Sequence, residues 1–259
     1  MKTLYFDCKN GICIDMVLMA LKDIIRPDGI EDSFFENLEK DHLCHGHHHD
    51  YCHGHCNGNH HHEEHHHGEA NGHHPHHDEE GSHHHGKSYK EICHLIEHAH
   101  ISDTAKKIVL DIYEVIAMAE ATVHGDTLDT VHFHEVGREE AVANIIKIAL
   151  CLEKIAPEKI FCSEIHDGKG FIECSHGRIP VPVPAVCEIK KLPKAISQGH
   201  KYVTVDVETE MVTPSGLGIL VGIGACNAEK PDTEPLATAE GFGTRDTGRG
   251  GMSVSLYNL

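Results

Sequence analysis

Between His42 and His85 the chain carries twenty of its 29 histidines, and this tract limits the fold more than any other feature. Residues 41–87 are His, Gly, Asn, Asp and Glu with almost no aliphatic side chain. Such a segment cannot bury enough apolar area to offset the entropy of ordering its backbone, roughly 1–2 kcal/mol per residue. We expect a disordered insertion there, unless metal orders it. A folded module is then expected to start over residues 1–40 and to resume over residues 88–259, long enough together to bury a core.

Composition excludes several classes of function. The 22 Lys and Arg against 41 Asp and Glu leave a formal charge of −19, the wrong sign for a nucleic-acid surface. No apolar run reaches the roughly 18 residues of a membrane span. The opening MKTLYFDCKNGICIDM has no long apolar stretch and no small-residue cleavage site, so no secretory signal is expected. The 11 cysteines are odd in number and scattered singly through apolar segments, which reads as a reducing, cytoplasmic setting rather than a disulfide framework.

Periodicity outside the tract predicts a strand over residues 3–7. A helix follows, with apolar positions Ile12, Met16, Met19, Ala20 and Ile24, stopped by Pro27 and Gly29. A short helix is plausible over 30–38. Further helices are predicted over 88–98, 102–124 (with Ser102 as N-cap) and 139–155. Strands are expected over 159–162, 170–174, 202–207, 236–243 and 252–256. Pro180, Pro182 and Pro184 predict an extended approach to a helix over 184–192, and another helix is expected over 215–222. Strands and helices mix without strict alternation. The class is therefore α/β, with α+β possible: a mixed sheet with flanking helices and the His-rich insertion.

Neutral imidazole suits divalent nickel, copper and zinc. The metal-ligating candidates are His45, His47, His48, His49, Cys52, His53, His55, Cys56, His60, His61, His62, His65, His66 and His67. A tract of this kind is better suited to loading and handing over ions than to holding one in fixed catalytic geometry.

Four shorter motifs carry polar groups at turns. In Asp7-Cys8-Lys9-Asn10-Gly11 a strand runs into a Gly-containing turn and then a helix whose first turn holds Asp15. In Val131–Gly137, extended backbone would put His132 and His134 on one face and Phe133 and Glu135 on the other. In the segment from Cys174 to Pro184, prolines stiffen the chain around His176 and Arg178. In Glu210–Gly216, Thr213 or Ser215 can cap a helix. Each has a purely structural reading as a packed histidine, a cap or a turn.

In order and spacing these segments resemble the LarC-type nickel-insertion family. The resemblance covers nearly the whole chain and rests on YFDC…G…DM…ALKD, the His-rich insertion, SDTAKKIV…AEATVHG, VHFHEVG, CSHGRIPVPVPA, EMVTPSG and the closing GFGTRD. It implies insertion of nickel into pyridinium-3,5-bisthiocarboxylic acid mononucleotide, the precursor of the nickel-pincer cofactor of lactate racemase. The product has two nickel–sulfur bonds and one nickel–carbon bond. The reaction uses CTP with manganese or magnesium. The implied catalytic residues are Asp7, Asp15, His132, His134, Glu135 and His176. Those implied for cofactor binding are Gly11, Arg178, Thr213, Ser215 and Gly216.

The resemblance is to the family's N-terminal module, with nucleotide handling implied for a C-terminal region that a separate partner would supply. A lactate racemase-type apoenzyme would receive the product downstream. Two departures stand out. Arg138, Glu140, Ala141 and Asn144 occupy places where the family shows a small residue, an Asp-Ser pair and a second Asp. Cys13 and Ile14 replace a Gly-Ser pair. A non-catalytic nickel or zinc store or metallochaperone is the rival reading.

Overall fold

The computed structural model describes residues 1–26, 87–174 and 177–259. The predicted helix over 30–38, the whole histidine tract and His176 lie outside the described residues.

A five-stranded sheet organises the chain, in the order β7-β2-β1-β9-β8. Its central strand β1 (Lys2–Asp7) pairs in parallel with β2 (Lys159–Cys162) and antiparallel with β9 (Met252–Asn258). On the outer positions β7 (Cys226–Asn227) runs parallel to β2, and β8 (Ala237–Gly241) antiparallel to β9. The sheet is thus mixed, as expected.

Period-two alternation assigns its two faces. Leu4 and Phe6 of β1 and Met252 and Val254 of β9 are fully buried in the helix-covered core. Thr3 and Tyr5 lie opposite Tyr257 and Ser255 on the second face, and all four are buried as well. Residues 228–236 connect β7 at one edge to β8 at the other, and the Tyr5 hydroxyl donates to the Ala228 carbonyl at 3.4 Å, which puts that connection against the second face.

Helix α1 (Ile14–Ile25) buries Met16, Val17, Ala20, Leu21, Ile24 and Ile25, the i, i+4 stripe of an amphipathic helix, and packs on β8, β9 and α4 (Glu139–Ile155). Helix α2 (Tyr89–His98) starts on a full capping box, with Ser88 and Glu91 satisfying each other's backbone N–H. Helix α3 (Asp103–His124) is capped by Ser102, as expected, and closed by Gly125. It is the hub of the helical layer, touching α2, α4, α5 (Pro184–Ile189) and α7 (Pro214–Gly222). Apart from its first residue α7 is buried throughout, which is why its sequence shows no polar face. Each fully buried Ile, Leu or Val in this layer contributes roughly 1.5–3 kcal/mol relative to an exposed one.

Four short elements escaped the periodicity argument. They are β3 (Ile165–Asp167), β5 (Gly177–Val181), α6 (Pro193–Ser197) and β7. β3 pairs in parallel with β6 (Tyr202–Thr204), shorter than the strand predicted over 202–207. The proline-rich stretch is not merely a lead-in to a helix. β5, with Pro180 in it, forms an antiparallel hairpin with β4 (Gly170–Cys174), a two-stranded sheet whose edges tolerate a residue without an N–H.

Candidate functional site

The carboxyl end of β1 is where three motif loops meet. The chain leaves the strand at Asp7, whose carboxylate accepts the Lys9 N–H at 3.3 Å, and turns at Gly11 with φ +88°. There the loop meets the segment before α7: Ile12 N donates to the Met211 carbonyl at 2.9 Å and Thr213 N to the Ile12 carbonyl at 3.1 Å. A Cβ on Gly11 would sit 2.2 Å from the Met211 oxygen, so only glycine allows this approach. Gly216 is constrained in the same way, 2.3 Å from the Ile12 oxygen for a Cβ. The Thr213 hydroxyl caps α7 by accepting the Gly216 N–H at 3.0 Å and contacts the Ser215 hydroxyl at 3.0 Å.

The third loop, residues 242–251 between β8 and β9, is tied on by Asn10, whose side-chain amide donates to the Gly251 carbonyl at 2.8 Å. With Met16 this loop lines a cavity of about 240 Å³ that includes Phe242, Thr244, Arg245 and Thr247. Arg245 faces the cavity and also donates to the carboxylate of Glu210, which is 6% exposed. Burial raises the Glu210 pKa to about 7; the guanidinium opposes this, and the charges of Asp167 and Glu135 add to it. The group is therefore poised to change charge near neutral pH.

Behind it, one oxygen of Asp167 accepts the N–H groups of Gly168, Met211 and Val212 at 2.9, 3.1 and 3.2 Å, while the other is buried with no hydrogen-bond partner among the described residues. Burial pushes that carboxyl up. Cys13, at the N-cap of α1, is pushed up by burial, with smaller contributions from Asp15 and Glu210.

Asp7, Gly11, Thr213, Ser215 and Gly216 are thus assembled on the two loops at the end of β1. Asp15 stands exposed in the first turn of α1 beside Cys13, and Glu135 is close enough for its charge to reach Glu210. His132 and His134 share an exposed face, but Glu135 is exposed too rather than buried with Phe133, because the backbone bends after His134. His132 bridges to Ser88 and its charge acts on Glu91; the His134 ring lies 5.8 Å from that of His124. Arg178 sits within β5 opposite Glu173, its guanidinium 4.3 Å from the centre of the Phe171 ring. Of the substituted positions, Arg138 is the N-cap of α4 and makes no side-chain cap bond.

Glu210, Arg245 and Asp167 were not singled out as functional residues from the sequence. Glu210 and Arg245 do lie within the EMVTPSG and GFGTRD motifs, whereas nothing local marks Asp167. A second omission is on α2. Among the described residues, His94, Glu97 and His98 bring three ligand atoms within 4.8 Å of one another, and the spacing i, i+3, i+4 on a helix was the available signal. Asp7, Asp15, His132 and His134 form no such group.

Comparison with known proteins agrees with the motif order. The family model described as "Nickel insertion protein" matches residues 4–252. A pyridinium-3,5-bisthiocarboxylic acid mononucleotide nickel insertion protein of Acetivibrio thermocellus is 37% identical over 96% of this chain and 58% of its own length. One of the same description from Clostridium kluyveri is 37% identical over 95% of this chain and 59% of its own. A putative nickel insertion protein of Maridesulfovibrio salexigens is 38% identical, over 95% and 60%. The chain spans about three fifths of the length of these curated relatives. No solved structure matches it. Matched from its first strand to its last, the chain belongs to the nickel insertion protein family.

Proposed function

We propose that this chain serves nickel insertion into the pyridinium-3,5-bisthiocarboxylic acid mononucleotide named in its relatives, as the N-terminal part of a CTP-dependent enzyme. The observation that carries the reading is the cavity lined by Met16 and the GFGTRD loop, which Asn10 ties to the loop after β1 and in which Arg245 is held by the buried carboxylate of Glu210. The precursor is an anion through its phosphate and two thiocarboxylates, and a guanidinium held by Glu210 is suited to orient such a group.

Nickel is substrate here. Two thiocarboxylate sulfurs donate to it. A ring C–H bond breaks, its electron pair passing to nickel as the nickel–carbon bond forms, and the proton leaves. We assign acceptance of that proton to the carboxylates at the loop rim, Asp7, Asp15 or Glu135. Nickel delivery is assigned to His132, His134 and His176, and further contacts with the precursor to Gly11, Thr213, Ser215, Gly216 and Arg178. We assign the handling of CTP and its manganese or magnesium to the part of the longer relatives that this chain does not match. The metallated product would pass to a lactate racemase-type apoenzyme.

The test is equilibrium binding of the mononucleotide precursor. Arg245→Ala removes a charge-assisted contact worth about 1.5–3 kcal/mol, so affinity is expected to fall roughly 10- to 100-fold, with partial recovery in Arg245→Lys. Parent-like affinity in Arg245→Ala would remove the cavity from the reading.

A further inference from the structure

We infer that α2 carries a fixed binding site for a divalent transition-metal ion, formed by His94, Glu97 and His98 and separate from the cavity at the end of β1. All three side chains are exposed on one face of the helix, and their ligand atoms lie within 4.8 Å of one another. Donors at bonds of about 2.1 Å stand at most about 4.2 Å apart across an ion, so a small rotamer change closes the set.

The geometry around His98 adds an independent reason. Its Nδ1 lies 2.8 Å from the His94 carbonyl oxygen. A carbonyl can only accept, so Nδ1 carries the proton and Nε2 keeps its lone pair for a metal. Metal-bound histidines are commonly oriented by this outer hydrogen bond. The His94 and His98 rings are already adjacent, with centroids 4.2 Å apart. Lys106 does not compete for the Glu97 carboxylate, because its ammonium donates to the Glu97 backbone carbonyl at 2.7 Å.

Two imidazoles and one carboxylate select nickel, zinc or copper over magnesium. Three protein ligands leave coordination positions open, so an ion can arrive and leave by ligand exchange. His94 follows the last histidine of the tract, His85, by nine residues. The site is a fixed station next in sequence to the tract, and it does not depend on the reading of the cavity.

The experiment must resolve these two imidazoles from 27 other histidines in the full chain. Histidine carbethoxylation with diethylpyrocarbonate, followed by trypsin and mass spectrometry, does so. Cleavage after Lys90 and Lys106 releases residues 91–106, which hold His94, His98 and, as an internal control, His100. With nickel in excess over all histidines, His94 and His98 should be modified roughly tenfold more slowly than without metal, and His100 little changed.

Glu97→Gln should move half-protection to a roughly tenfold higher nickel concentration. His98→Ala should expose His94, and magnesium should protect neither. Metal-free rates at His94 and His98 in saturating nickel, or protection no greater than at His100, would overturn the site. Only nickel is added, so this outcome is independent of precursor binding.

Discussion

Replacing Gly11 by alanine tests whether the loop after β1 is locked onto the segment before α7, and Gly125 supplies the control. Both glycines have positive φ, +88° and +71°. A Cβ at Gly125 meets nothing within 4 Å, whereas at Gly11 it lands 2.2 Å from the Met211 carbonyl oxygen. Gly125→Ala therefore costs only the left-handed backbone of a non-glycine residue, about 1 kcal/mol. Gly11→Ala carries the same cost and also forces the two segments apart. The 2.9 Å bond from Ile12 to Met211 and the 3.1 Å bond from Thr213 to Ile12 then fail, each worth about 1 kcal/mol and more where a buried donor is left unpaired. The total is about 3–5 kcal/mol.

At about 2–4 °C per kcal/mol for a chain of this size, thermal unfolding should fall by about 3 °C for Gly125→Ala and by roughly 10 °C or more for Gly11→Ala. Gly11→Ala should also weaken precursor binding. Equal shifts in Tm for the two variants would refute the locked-loop argument.

Other outcomes follow from named groups. In the folded chain Glu210 keeps its proton up to about pH 7 rather than the ordinary 4.5. The stability this proton brings is present below that ordinary value and is lost as pH rises through the window, by up to ~3 kcal/mol; Glu210→Gln should flatten that part of a chemical-denaturation profile measured from pH 4 to 8. Arg245→Ala leaves Glu210 buried without its cation, so its pKa should rise further and chain stability at pH 8 should fall by about 3 kcal/mol, readable in urea. Deleting residues 42–85 should remove most nickel capacity by isothermal titration and leave the far-ultraviolet dichroism of the folded elements unchanged; collapse of the fold would contradict this.

Long amphipathic helices were legible because one residue type at one spacing decides them. Ser102 and the apolar stripe of α3, and the stripe of α4 ending before Pro157, mark their own ends. The short strands β3 and β7 were not legible, because two or three residues carry no period and their pairing is decided by distant chain. β5 was hidden by Pro180, which argues against a strand until the hairpin is seen to stand outside the main sheet. In the site, Gly11, Thr213 and Gly216 could be read as turn and cap residues, but their joint purpose appears only when Ile12 and Met211 meet. Glu210 is one acid among many in the sequence, and its raised pKa comes from burial, against the opposing pull of Arg245, 35 residues further on.

The most direct test of the central claim is mass spectrometry of the product formed when the full chain is combined with the C-terminal region of a relative, the mononucleotide precursor, nickel and CTP. The account predicts a nickel-containing product in which nickel has replaced one ring proton. It also predicts that Arg245→Ala lowers the rate of product formation at subsaturating precursor by roughly 10- to 100-fold while bulk nickel binding stays at the parent level. Product at the parent rate from Arg245→Ala would contradict the cavity. Nickel binding without any product, with a C-terminal region that is active beside another family member's N-terminal part, would make the chain a nickel store instead.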